Sequence, residues 1–391
     1  MTAKVVTASF GDKDVTAQLQ SMPFPLQFPP AMNPNTFFGV TPNPQGTVLT
    51  LTLESPARII TLTEKNGVWT NPQTVHAGES TVSTQLFSGL GNQIYQIVNS
   101  CIIAAKTGRK LRFPFPLLSR KTASDPFRDV EFASLFDPDT FLKAASSFIT
   151  TTTATGVFFF LYDERKTSGK ATASDNLAKT FYSPVQHASL YCPFMITVPS
   201  NKTDFHFLMT MMSSLVPAPH LYSLFDKLYQ EIIQLTIRHR VQGFAVAHCR
   251  IENDWKTAKR TIYTAAQFAL FVRTCLPMAK LVYVMGSVDD DAYWKELCHL
   301  APEYVWVRKQ DVLSEDLGFE PGAVIDRELA VRADWFLGYA SSSLSLVIAL
   351  QRHTLGKPIR MYKAATDSIR YNCLNASTYF FAGGQPMFPP P

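Results

Sequence analysis

The sequence predicts an α/β protein led by a small β domain, and three observations carry that prediction. Residues 85–114 read as strand, glycine turn, helix, glycine stop and second strand. From residue 221 onward, helical and strand-like patterns alternate, which implies a mostly parallel sheet. Before residue 80 the period is two instead, as in Val48-Leu-Thr-Leu-Thr-Leu53 and Arg58-Ile-Ile-Thr-Leu-Thr63, with breaks at prolines and at Asn66-Gly67.

Composition narrows the class. The 391 residues are 46% hydrophobic and 17% charged, enough for a substantial core in two or three domains. A formal charge of +5 without a basic run argues against a duplex-binding surface and fits an anionic small molecule. The start, Met1-Thr-Ala-Lys-Val-Val, lacks the features of a secretory leader, and Val157–Leu161 and Leu344–Leu350 are too short to span a membrane. A cytoplasmic protein without a membrane span is therefore expected. The six cysteines are scattered without CxxC pairs, so reduced core thiols are the default and a disulfide or two stays open. Asn201-Lys-Thr203 and Asn375-Ala-Ser377 match the glycosylation sequon, which carries little weight without an export signal.

Taken in order, the elements begin with the β domain, whose proline-rich stretch from Met22 to Pro44 carries Phe24, Phe28, Phe37 and Phe38. Phenylalanines in an irregular segment read as core rather than as a binding face. In the turn and helix that follow, Gly89-Leu-Gly91-Asn92 precedes Ile94, Ile97, Val98, Cys101 and Ile102 on one helical face, and Gly108 ends the helix. A glycine turn at a helix N-terminus suits an anion or a polar substrate, and it suits tight packing equally well. Past the threonine-rich run 150–155, Pro217-Ala-Pro219 reads as a hinge or linker before a helix over 221–240.

That helix leads into Phe244-Ala-Val-Ala-His248-Cys-Arg250-Ile-Glu252-Asn-Asp254-Trp255, an apolar run that ends in polar groups. It reads as a buried strand delivering them to its carboxyl end, where open α/β sheets bind ligands. Arg250 offers a planar fork that matches phosphate oxygens, and a pairing with Glu252 or Asp254 fits it equally. A helix near 258–275, a strand over 280–285, a helix near 292–300 and a strand over 304–307 follow. Asp289-Asp290-Asp291 could hold a divalent metal, but acids before a helix complement its dipole, and that reading is preferred. Last, a strand ending at Gly338 meets Ser341-Ser342-Ser343 and an apolar helix; hydroxyls and free N–H groups there favour a phosphate cradle over a bare cap.

Three of these stretches together resemble one family, the GDP-fucose protein O-fucosyltransferases. Its His-Leu-Arg-Ile-Gly-Ser-Asp-Trp motif is matched by His248-Cys-Arg250-Ile-Glu252-Asn-Asp254-Trp255. Its late motif, an Asp ahead of Ala-Asp-x-Phe-Ile-Gly and then Ser-Ser-Phe-Thr, is matched by Asp326, Ala333-Asp334-Trp-Phe336-Leu-Gly338 and Ser342-Ser343-Leu344-Ser345, and Arg352 falls on a family Arg. Leu135-Phe136-Asp137-Pro-Asp139 is similar to a further family feature. Two departures stand out. Gly89 replaces the Arg of the family's Gly-Arg-Phe-Gly-Asn-Gln, so this turn is more similar to the Gly-Gly-Leu-Gly-Asn-Gln of α1,2-fucosyltransferases, and Leu344 replaces an aromatic.

The resemblance implies a GT-B fold, two Rossmann-like halves facing a cleft, here over residues 80–218 for the acceptor and 219–391 for the nucleotide sugar, with the β domain at 1–79 outside the family pattern. It implies inverting, metal-independent transfer of L-fucose from GDP-fucose to a hydroxyl of a protein or glycan, with no cofactor. By position, Arg250 stabilises the departing β-phosphate and Asn92 orients the acceptor hydroxyl. His248 contacts the nucleotide or fucose, and Gly89, Gly91, Ser341, Ser342, Ser343 and Arg352 are placed at the donor. Asp326 and Asp334 hold the guanosine end or the loops around it. No acid adjoins Asn92, so either the sugar ionises well ahead of attack or a carboxylate such as Asp163 or Glu164 reaches in as the base. Rival expectations are a transferase of another nucleotide sugar and a catalytically silent carbohydrate-binding protein. The β domain is expected to serve acceptor positioning or assembly.

Overall fold

The computed structural model describes residues 5–22, 26–27, 33–43, 47–54, 57–65, 68–69, 74–75, 81–84, 86, 88–107, 109–152, 159–160, 187–190, 202–251, 262–286, 290–315, 317–362 and 374–375. The chain forms two compact units, one of Met1–Gln85, Asn99–Phe113 and Phe148–Met195, the other of Leu86–Val98, Pro114–Ser147 and Ile196–Pro391.

The first unit opens on β1 (Val5–Phe10), β2 (Lys13–Asp14), helix α1 (Thr16–Gln20), helix α2 (Pro34–Phe38), β3 (Thr47–Glu54), β4 (Ala57–Lys65) and β5 (Val68–Trp69). The strands pair antiparallel in the order β2-β1-β3-β4-β5. Period-two patterning sets which side is dry: Leu49 and Leu51 are fully buried while Val48 beside them is 41% exposed. They close a core with Val5, Phe10, Val15, Leu19 and Phe38. Phe37 and Phe38 are therefore core residues, as expected, and their rings meet edge to face at 4.9 Å. Phe24 and Phe28 lie outside the described residues. Asn33 caps α2 by accepting from the Thr36 N–H, Pro34 sits at the first helical position, and Gly39 ends the helix at φ 61°.

A parallel sheet follows. Its strands are β6 (Thr81–Thr84), then, after helix α3 (Leu90–Thr107), β7 (Lys110–Arg112); past a hairpin β8 (Leu117–Ser119) and β9 (Arg128–Val130) and helix α4 (Pro138–Ala145), they are β10 (Thr151–Thr152), β11 (Phe159–Phe160) and β12 (His187–Leu190). The spatial order is β10-β7-β6-β12-β11, all parallel, so the chain switches direction of winding beside β6. Ile94, Ile97, Val98 and Cys101 of α3 are fully buried and Ile102 half-buried, on the face that the spacing predicts.

In the second unit, helices α5 (Lys202–Ser213) and α6 (Pro219–Arg238) precede β13 (Phe244–His248), α7 (Ala265–Cys275), β14 (Leu281–Met285), α8 (Asp291–Leu300), β15 (Val305–Arg308), α9 (Phe319–Arg332), β16 (Trp335–Tyr339), α10 (Ser343–Thr354), β17 (Ile359–Tyr362) and β18 (Leu374–Asn375). The order β15-β14-β13-β16-β17-β18 is that of a Rossmann sheet, with the last strand alone antiparallel. All five residues of β13 and of β14 are buried, which explains continuous apolar runs without alternation. Two parallel sheets with helical crossovers make this an α/β protein, as the sequence predicts.

One expectation changes here. Pro217-Ala-Pro219 is no hinge: Ala218 is fully buried and donates its N–H to Leu135 O at 3.0 Å, Asp137 N–H donates to Val216 O at 3.1 Å, and Pro219 opens α6. Proline marks a helix start here, where its fixed φ fits and its missing N–H costs nothing. Among the described cysteines, Cys101, Cys249 and Cys298 are thiols, the default reading, and Cys275 is disulfide-bonded, the alternative left open. No helix among the described residues is long and apolar enough to cross a membrane.

Candidate active site at the sheet switch point

In a sheet of this order, winding reverses between β13 and β16, and the crevice outside their carboxyl ends is where ligands bind. The chain places its polar clusters there. His248 is the last residue of β13, Arg250 lies two residues beyond, and Ser341-Ser342-Ser343 follow β16.

One hydrogen bond ties these clusters together. His248 Nδ1 lies 2.7 Å from Ser345 Oγ across 97 residues of sequence, and Ser345 Oγ accepts from the Tyr339 N–H at 3.0 Å. Tyr362 donates its hydroxyl proton to His248 O at 2.6 Å, and Cys249 N–H donates to Met285 O at 3.0 Å. The end of β13 is thus fixed from three sides. Burial, with a smaller contribution from the positive charge of Arg250, lowers the His248 pKa to about 3. The imidazole is therefore neutral near pH 7 and can act as a hydrogen-bonding group without carrying charge. Arg250, half-buried two residues on, brings a positive charge to this edge.

The serine turn is shared between cap and site. Ser342 is the N-cap of α10, and its Oγ accepts from the Ser345 N–H at 3.4 Å. Ser341 is exposed and Ser343 half-buried. Against this turn sits Gly91, packed so closely that a Cβ on it would lie 2.4 Å from Leu344 N and 2.7 Å from Ser343 Oγ. Of the two readings of the glycine turn, tight packing is therefore the one realised at Gly91. Asn92 is half-buried nearby and donates from Nδ2 to Ser88 Oγ at 2.9 Å. Gln93, fully buried, binds Leu118 through both halves of its amide, at 2.8 and 2.9 Å, and donates to Ser88 O. Hence the glycine turn, the serine turn and the end of β13 form one connected patch.

Other predicted residues lie elsewhere or do other work. Asp334 precedes β16, so it stands at the amino edge of the sheet, where its carboxylate accepts from the Phe244 N–H at 3.0 Å. Asp334 thus ties the amino ends of two neighbouring strands, β13 and β16, together. Arg352 is engaged with the backbone as well. Its guanidinium is fully buried and donates to the carbonyls of Ala330 (2.6 Å), Ala333 (2.7 Å), Asp334 (3.0 Å), Val331 (3.3 Å) and Pro358 (2.9 Å), tying down the end of α9. Burial lowers its pKa to about 10, so it stays charged. Arg352→Met is expected to destabilise the fold by about 3 kcal/mol, the scale of orphaning buried carbonyls. Urea unfolding checks it, and donor affinity of the folded variant should be unchanged.

Asp326 holds a loop. It accepts from Tyr283 Oη (2.6 Å) and from the Gly286 N–H (3.2 Å) just beyond β14, and pairs with Lys309 at 2.8 Å. Asp290 caps α8 through the Ala292 and Tyr293 N–H groups, and Asp291 pairs with Arg308 at 3.1 Å, so these two acids serve the helix start as preferred. Asp137 caps α4 by accepting from Asp139 N–H. Glu252, Asp254, Asp163, Glu164, Asp289 and Asn201 lie outside the described residues. Among the described residues no group of three or more His, Cys, Asp or Glu is placed to hold a metal ion. Sequence reasoning missed Ser345 as the partner of His248 and Gln93 as the anchor of the glycine turn; both sit inside recognised motifs, and their partners lie 97 and 25 residues away.

No protein-family model matches the chain, and no curated protein sequence matches it. Solved structures similar to it include the fucosyltransferase NodZ from Bradyrhizobium, with TM-score 0.49 and 15% identity, covering 76% of this chain and 99% of that one. Another is FUT1 of Arabidopsis thaliana in complex with GDP, with TM-score 0.47 and 12% identity, covering 74% and 72%. A third is POFUT1 in complex with GDP, with TM-score 0.42 and 13% identity, covering 70% and 94%.

Proposed function

We propose that the protein is a fucosyltransferase that transfers L-fucose from GDP-fucose to a hydroxyl of a protein or glycan, with inversion and without a metal. The observation that carries this reading is the His248–Ser345 bond, which joins the strand motif bearing Arg250 to the serine turn at the switch point of a Rossmann-order sheet. Three stretches that resemble one family in sequence thus meet, or nearly meet, in space. A resemblance that recorded only ancestry of individual elements would not require them to share a site.

In this reading Arg250 faces the leaving β-phosphate and stabilises the negative charge that grows on it as the sugar gains oxocarbenium character. Neutral His248 offers its remaining ring nitrogen to the nucleotide or fucose, and Ser341 and Ser343 at the start of α10 contact phosphate. Asn92 orients the acceptor hydroxyl. Asp326 supports the guanosine side indirectly, through the loop at Gly286.

Calorimetric titration with GDP, GDP-fucose, GDP-mannose and UDP-sugars, chelator present throughout, tests the reading. Binding restricted to GDP and GDP-fucose is expected. Absence of guanosine binding, or binding only after metal is restored, overturns it.

A further inference from the structure

The neutral imidazole of His248 carries a single ring proton, on Nδ1 or on Nε2. Which nitrogen holds it decides what the ring offers a ligand, and the hydroxyl of Ser345 makes the choice. Ser345 is fully buried in the first turn of α10, and its Oγ has one proton to give and two lone pairs to share. The Tyr339 N–H at 3.0 Å can only donate, so it takes one of those lone pairs. The other polar neighbour of Oγ is His248 Nδ1, at 2.7 Å. If Nδ1 held the ring proton, Oγ would receive two donors, and its own proton would be buried with no acceptor among the described residues. Buried polar groups avoid that arrangement because an unmade bond costs the full desolvation of the group. With Nδ1 bare, every group is satisfied: Tyr339 N–H donates to Oγ, and Oγ–H donates to Nδ1.

The ring proton then sits on Nε2, which makes no hydrogen bond among the described residues. A hydroxyl that donates to Nδ1 also draws electron density from the ring, which makes the opposite N–H a stronger donor. We infer that Ser345 is a positioning residue that locks His248 as the Nε2–H tautomer, so that the ring presents a hydrogen-bond donor to an oxygen of the ligand. Next to Arg250, that polarity suits an anionic oxygen such as one on a nucleoside diphosphate, which an imidazole lone pair would repel. It also removes His248 as the acceptor base: the Nδ1 lone pair is engaged by Ser345, and Nε2 has none to take a proton with. The tautomer rests on the two hydrogen bonds alone. The diphosphate as the group that meets Nε2–H rests on the fucosyltransferase reading.

The test uses the full chain with isotope-labelled histidine, followed by proton–nitrogen NMR correlation near pH 7, the His248 signals being assigned by their loss in His248→Gln. The parent protein should show a proton on Nε2 and a bare Nδ1. Ser345→Ala, which removes the hydroxyl, should populate the second tautomer and weaken GDP binding about tenfold by calorimetry, the scale of one hydrogen bond to a charged group. Ser345→Thr keeps the hydroxyl and should keep the tautomer, with GDP affinity within about twofold of the parent. A proton on Nδ1 in the parent overturns the assignment, and that spectrum decides it whether or not the alanine variant folds. An alanine variant that keeps a pure Nε2–H signal overturns the role of Ser345. One that changes tautomer yet binds GDP as tightly as the parent overturns the donation to the ligand. A parent chain that does not bind GDP defeats the fucosyltransferase reading instead, and the tautomer measurement still decides the action of Ser345.

Discussion

Arg250→Ala is expected to lower transfer from GDP-fucose by about a hundredfold to a thousandfold, the typical loss when one preorganised donor to a developing charge is removed. The size follows from where the residue sits. At the carboxyl end of β13, beside a neutral imidazole, Arg250 is the cation that the strand motif delivers to the switch point. Its fork matches two phosphate oxygens at once, so Arg250→Lys, which keeps charge and loses the fork, should recover only a small part of the rate. A residue that merely paired with a nearby carboxylate behaves differently: its removal lowers the melting temperature and leaves kcat near normal in the protein that stays folded. A second signature is available by NMR. The charge of Arg250 is one of two causes that hold the His248 pKa at about 3, so in Arg250→Ala that pKa should move up while burial keeps it below the usual imidazole range. Near-normal turnover in Arg250→Ala sinks the assignment.

What the sequence made legible, and what it did not, divides along sequence distance. The strand 244–248, the helix after the serines and the cap at Asp290 are local, written in apolar runs and in side chains that satisfy their own neighbours. Pairs such as His248–Ser345 and Arg120–Glu320 span 97 and 200 residues, and nothing in periodicity reports them. Asp334 shows a different limit. It directly precedes a strand of a parallel sheet, and residues before such a strand stand at its amino edge, a placement that motif matching by itself does not report. Arg352 is illegible for another reason, since a buried guanidinium that caps a helix end and one that binds phosphate look the same in a sequence.

Gly91→Ala gives a result whose sign separates packing from propensity. Gly91 is the second residue of α3, and alanine there favours a helix by up to about 1 kcal/mol, so judged by propensity alone the substitution stabilises. The structure demands the reverse. The added Cβ would stand 2.4 Å from Leu344 N and 2.6 Å from the Ser343 carbonyl carbon, and these are backbone atoms that cannot rotate aside. Neither partner can retreat cheaply, because Gln93 clamps this end of α3 to Leu118 and Ser345 clamps the start of α10 to His248. Overpacking of this kind costs about 1–3 kcal/mol, and here the strain falls on the serine turn and on the His248 bond. Loss of stability with a drop of about tenfold or more in GDP affinity is the expected outcome, read by urea unfolding and calorimetry. Gly89→Ala supplies the contrast, since its Cβ would meet only Arg120 Nη2 at an ordinary 3.7 Å. That variant should stay within about 1 kcal/mol of the parent. If both alanines weakened donor binding equally without loss of stability, the glycine turn would be a ligand cradle after all; if Gly91→Ala stabilised the protein, the close approach of the two helix starts would be wrong.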